Sequence, residues 1–169
     1  LAFAAAAAGV LALLQPPRLP VPERGSFTLR DVTVINPGAE RLAHVDVEVE
    51  NGRIAALKPA ARRDPAGPPD EPGAFSCPGC FALPGLIDMH AHLPPRVAVG
   101  NERLFSLLFL ANGVTMIREI GSPDGSAYDV RDAIASGEFP GPRVASCGWV
   151  LDGDPPARAN NRILRTADD

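Results

Sequence analysis

From Leu83 onward the chain alternates between short β-branched runs and longer amphipathic stretches, and this alternation constrains its fold more than any other feature. "LPGLIDMHAH" is a short apolar run that reads as a strand of the buried type. "NERLFSLLFLANG" offers Asn101 as an N-cap, a dense apolar face, and an Asn112-Gly113 step where a helix should stop. "GVTMIREIG" is β-branched again, "DGSAYDVRDAIASGEFPGP" puts Ala127, Val130 and Ile134 on one helical side, and "RVASCGWVLDG" supplies a third strand. Strand, helix, strand, helix, strand with short links is the pattern of parallel βα units. A closed (β/α)8 barrel takes about 250 residues, more than this chain holds. The expected fold class is therefore α/β, a series of parallel βα units that stops well short of that length.

The preceding segment has a different period. "SFTLRDVTVIN" and "HVDVEVENGRIAAL" alternate apolar and polar residues, the mark of half-buried strands. Asn51-Gly52 joins two such runs, and both residues accept positive φ, so residues 45–57 form a hairpin with residues 27–35 as a neighbouring strand. Residues 59–74 are rich in Pro and Gly and read as an exposed loop. Three segments follow: 1–25, an apolar signal- or anchor-like stretch with a Pro-rich spacer; 26–83, an antiparallel β module; and 84–169, the incomplete βα series.

Residues 1–14, "LAFAAAAAGVLALL", are too few for a bilayer span of about 20 residues but match the apolar core of a secretory signal. They predict an exported or membrane-anchored protein rather than a cytoplasmic one, with membrane association through this segment alone. The basic region that should precede such a core is missing, and Thr166 before acidic residues resembles the N-cap of a further helix. Both ends are thus expected to be those of an N-terminal fragment. With a net charge of −4, the chain offers no basic surface for nucleic acid. Oligomeric state is not legible.

The chemistry centres on "LPGLIDMHAHLP". On a strand, residues two apart share a face, so His90 and His92 project side by side with Asp88 one step earlier. They stand at the C-terminal end of the first βα strand, where barrel enzymes carry their active sites. Neutral imidazole is the commonest metal ligand, and two on one strand suit one ion. A pair of solvated loop histidines before Pro94 and Pro95 is the alternative.

This stretch resembles the first barrel strand of the amidohydrolase superfamily, whose signature is P-G-[LF]-I-D-x-H-x-H. "NGRIAAL" upstream, "NGVTMIREIG" (usually G-V-T-T-x-R-D) and "AIASGEFPGPRVASCG" downstream are similar to the same family, so the resemblance covers residues 27–169. The wording is nearest the imidazolonepropionase and prolidase-like branch. The resemblance implies a truncated (β/α)8 TIM barrel over 84–169, preceded by part of a small β-sandwich over 26–83, and a metal-dependent hydrolase of C–N bonds in amides, cyclic amides or dipeptides, acting on a small-molecule substrate. It implies one or two divalent ions, zinc first, with His90 and His92 ligating the more buried one. The remaining ligands and the catalytic carboxylate would lie on later strands, so no catalytic residue is assigned within this chain, which alone should be inactive. Arg118-Glu119 stands where family members have R-D, retaining the carboxylate with one more methylene.

Two rival readings remain. A non-catalytic gene fragment or decayed copy would keep the H-x-H without a working site. A thiol-redox or metal-binding module would be built on Cys77 and Cys80 in "CPGC". Pro at the second and Gly at the third position read first as a type II turn, with a disulfide across it as an alternative. Asp88 reads either as a support for a ligand or as a cap on nearby amides. His44 is expected at the solvated surface, and Cys147 and Trp149 in the core. Arg118 faces substrate or pairs with Glu119 or Asp88.

Overall fold

A computed structural model describes residues 19–21, 25–61, 71–94, 101–122, 125–159 and 161–168. The described residues divide into two compact units, those within 25–84 and those within 85–168 together with 19–21.

The first unit is a five-stranded sheet. β1 (Phe27–Val34) pairs antiparallel with β2 (Leu42–Glu50), which pairs antiparallel with β3 (Arg53–Pro59). Asn51 and Gly52 make the β2–β3 turn with φ of 51° and 74°, the doubly positive geometry expected of this dipeptide. β4 (Ala74–Ser76) and β5 (Phe81–Ala82) both run parallel to β1. Between them Cys77, Pro78, Gly79 and Cys80 make the expected type II turn, with Gly79 at φ 80° and the Cys80 amide donating to the Cys77 carbonyl at 3.0 Å. A disulfide closes the turn as well, so the alternative reading holds together with the first. Val32, Val45 and Val47 form this unit's small core, and the two cysteines pack against it. The β1–β2 register shifts around Val32, and Asp31 and His44 there adopt positive φ of 54°. Polar side chains offset that strain: Asp46 accepts the Asp31 amide at 3.0 Å, and His44 Nδ1 lies 2.8 Å from Asp31 Oδ1. His44 is exposed, as expected.

The second unit carries the alternation read from the sequence. β6 (Leu86–Ala91), β7 (Val114–Glu119) and β8 (Arg143–Ser146) form a parallel sheet in that order. Helix α1 (Asn101–Ala111) links β6 to β7, and α2 (Ser126–Ala135) links β7 to β8. Asn101 is already the first helical residue rather than the cap, and α1 ends where expected, with Gly113 at φ 76°. Ala127, Val130 and Ala133 of α2 pack with Ile117, Val144, Phe139, Ala91 and Leu93 into one core, and Ile134 lies against it. Glycine permits two close approaches. A Cβ at Gly85 would collide with the Thr115 side chain, and one at Gly141 would meet the Ile134 and Ser106 side chains.

Three expectations need correction. β6 is not a buried strand: Leu86, Ile87 and Met89 are more than half exposed, because among the described residues β6 pairs only with β7. Trp149 is 45% exposed rather than core, and Cys147 is exposed just beyond β8 rather than packed within it.

A two-stranded parallel ribbon, β9 (Leu151–Asp152) and β10 (Arg162–Ile163), follows. Asp152 organises its loop, accepting from Asn161 Nδ2 at 2.8 Å and from the Ala157 and Gly153 amides at 2.6 and 2.9 Å. The Asn161 amide first, and then these backbone N–H groups, hold the Asp152 carboxyl below its ordinary range. A carboxyl lowered by folding contributes stability above its unfolded value of about 3.9 and loses that contribution as pH falls through the lower folded value. The stability difference between the wild type and Asp152→Ala should therefore be present at neutral pH and shrink in acid. Urea titrations at several pH values check this, and a difference that grows in acid would refute it. At the C-terminus, the Asp168 amide donates to Thr166 Oγ1 at 3.3 Å, a hydrogen bond of the N-cap kind.

Candidate functional site

The C-terminal ends of β6, β7 and β8 bring the chemistry-bearing residues together. The β6–β7 ladder pairs Asp88 with Ile117 and Ala91 with Glu119, so β6 carries one residue more than β7 across that interval. Such a bulge interrupts strict alternation and re-aims the side chains beside it. Asp88 serves the interrupted stretch, its Oδ1 accepting the His90 amide at 3.0 Å. Of its two sequence readings, this contact matches the amide cap.

His90 and His92 lie next to one another, with ring centroids 5.7 Å apart and planes at 76°. His90 is exposed, and the His92 side chain is 56% exposed. His92 Nδ1 lies 3.3 Å from the Gly121 carbonyl oxygen and 4.0 Å from Glu119 Oε1. A carbonyl can only accept, so this hydrogen bond requires the proton on Nδ1 and leaves the Nε2 lone pair for a ligand.

Glu119 was not singled out as a site residue by the sequence reading. Its side chain is fully buried at the end of β7. Oε1 accepts the Gly121 amide at 3.0 Å, and Oε2 accepts the Ser146 hydroxyl at 2.8 Å. Ser146 Oγ in turn accepts the Gly148 amide at 3.1 Å, and the Gly148 carbonyl accepts the Ser122 amide at 2.8 Å. One carboxyl thereby ties the end of β7 to the end of β8. Gly121 is at φ 155°, and a Cβ there would collide with Val150, so the turn that presents its carbonyl to His92 is open only to glycine. The available signal was a strand-terminal carboxylate two residues before a glycine. Arg118, its neighbour, is exposed.

Two adjacent imidazoles, one of them with its Nε2 left for a ligand, suit zinc and similar divalent ions. They fall short of the three protein ligands a catalytic zinc usually has. Among the described residues no group of three or more His, Cys, Asp or Glu side chains is placed to hold a metal. No helix among those residues is long and apolar enough to cross a membrane, and residues 1–14 lie outside them.

No family model and no curated protein matches the chain. Solved structures do. A Bifidobacterium longum protein assigned as a prolidase is similar with a TM-score of 0.66 and 24% identity, over 86% of this chain and 35% of that one. A Xaa-Pro dipeptidase with methionine bound in its active site gives 0.62 and 18%, over 83% and 41%. A bottromycin amidohydrolase gives 0.59 and 21%, over 95% and 31%. The chain thus spans 31–41% of the length of these three structures.

Proposed function

We propose, from a fold shared with prolidase-like amidohydrolases, that this chain is the N-terminal part of a metal-dependent hydrolase of C–N bonds. Its two units would be a portion of the β-sandwich and the opening βα units of the (β/α)8 barrel. The observation that carries the reading is the adjacent His90 and His92 pair at the end of β6, with His92 Nδ1 engaged by a carbonyl. Those two side chains would hold one divalent ion, zinc first, His92 through Nε2 and His90 through a ring nitrogen. When bound, such an ion polarises the scissile carbonyl and activates water. The chain's own residues supply the frame. Asp88 holds the His90 backbone, Gly121 holds the His92 ring, and Glu119 with Ser146 locks the strand ends that surround them. Further ligands and the acid–base carboxylate would come from chain beyond residue 169, and export or anchoring from residues 1–14.

The substrate class follows the neighbours, as dipeptides ending in proline or other small amides. The full-length protein, stripped with a chelator, should hydrolyse neither Xaa-Pro dipeptides nor cyclic amides and should regain activity with Zn(II). Full activity after chelation, with no metal found by elemental analysis, would sink the proposal. A full-length protein that binds metal but cleaves no C–N bond would favour the decayed-copy reading.

A further inference from the structure

We propose that Glu119 is a positioning residue for the His92 imidazole, its carboxylate oxygen favouring the Nδ1–H tautomer both through the Gly121 peptide it holds and across the 4.0 Å to Nδ1 itself. The inference rests on His92 being a metal ligand for its consequence, though not for its geometry. Glu119 Oε1 receives the Gly121 amide at 3.0 Å, and the carbonyl of that same glycine stands 3.3 Å from His92 Nδ1. The same Oε1 is 4.0 Å from Nδ1, so a single buried oxygen backs both the peptide and the ring it faces. Glu119 is held in turn by the Ser146 hydroxyl at 2.8 Å, from a strand that does not carry the histidines. The placement is therefore rigid, and an acceptor is fixed on one side of a half-exposed imidazole. A neutral imidazole has one donor and one acceptor nitrogen, so fixing Nδ1 as donor makes Nε2 the acceptor. A metal ligand needs that arrangement, and loss of an orienting partner typically costs about 10–100-fold in metal affinity.

Glu119→Gln keeps the side chain's length. Its amide oxygen can still accept the Gly121 amide and its NH2 can reach Ser146, but the negative oxygen behind Nδ1 is gone. The test is a long-range 1H–15N correlation spectrum of the metal-free, full-length protein at about pH 8, above the usual imidazole range, paired with calorimetric Zn(II) titration. The wild type should show His92 protonated at Nδ1. Glu119→Gln should shift it toward the Nε2–H form and weaken Zn(II) binding about 10–100-fold.

A wild-type spectrum with His92 protonated at Nε2 overturns the inference without any variant, should Glu119→Gln fail to fold. Unchanged tautomer and affinity in a folded Glu119→Gln protein also overturn it. If Glu119→Gln shifts the tautomer while the wild type binds no Zn(II), the positioning by Glu119 stands and the metal reading falls.

Discussion

His90→Ala and His92→Ala, each made in the full-length protein, should cut bound divalent metal and amide hydrolysis by more than about a hundredfold, beyond the usual cost of losing a mere orienting partner. Compared metal-free, their stability should barely change. Both side chains are substantially solvated, and surface substitutions of this kind typically stay within about 0.5 kcal/mol. The two variants should differ in one respect: His92→Ala also releases the Gly121 carbonyl, whereas His90→Ala leaves it engaged. The Cys77→Ser/Cys80→Ser double variant is the matching control. It opens the disulfide turn in the other unit, so metal and activity should persist. Metal analysis and hydrolysis assays on the three proteins decide the matter. If the cysteine variant is inactive and His90→Ala is not, the thiol reading replaces the metal one.

What could be read from the sequence was what neighbouring residues determine. The Asn51-Gly52 turn, the period-two strands before it, the Gly79 turn and the two helices all follow from local backbone preference and side-chain period. The adjacency of His90 and His92 was legible for the same reason. What escaped depends on which strands pair. Ile87 and Met89 look like core in any window of sequence, yet they are exposed because β6 has one described partner. The bulge between Asp88 and Ala91 exists only relative to β7. Glu119 looked like a conservative exchange in a motif. Its contact to Gly121, two residues on, is local, but its role also depends on Ser146 reaching it from β8, and no residue spacing encodes that meeting.

Ile117→Ala should have the largest effect on stability. Ile117 is fully buried in the central strand β7, in register with Asp88 on one side and Val144 on the other, and packs in the core with Val130 and Ala133. Truncation removes buried methyl groups and leaves a cavity whose walls belong to strands and a helix that cannot readily collapse. Such a change costs about 2–5 kcal/mol, a large share of the about 5–15 kcal/mol that holds a typical domain folded. Urea unfolding should show a lower midpoint with an unchanged slope. Ile117→Val removes one methyl and should cost about 0.5–1.5 kcal/mol. Because Glu119 lies two residues further along the same strand, Ile117→Val also probes the coupling of core to site. If the strand end is held by the Glu119, Ser146 and Gly121 contacts themselves, Zn(II) affinity should follow the wild type while stability drops, the inverse of the histidine variants. A loss of metal as large as that in His92→Ala would mean that core packing, rather than those hydrogen bonds, sets the ring's position.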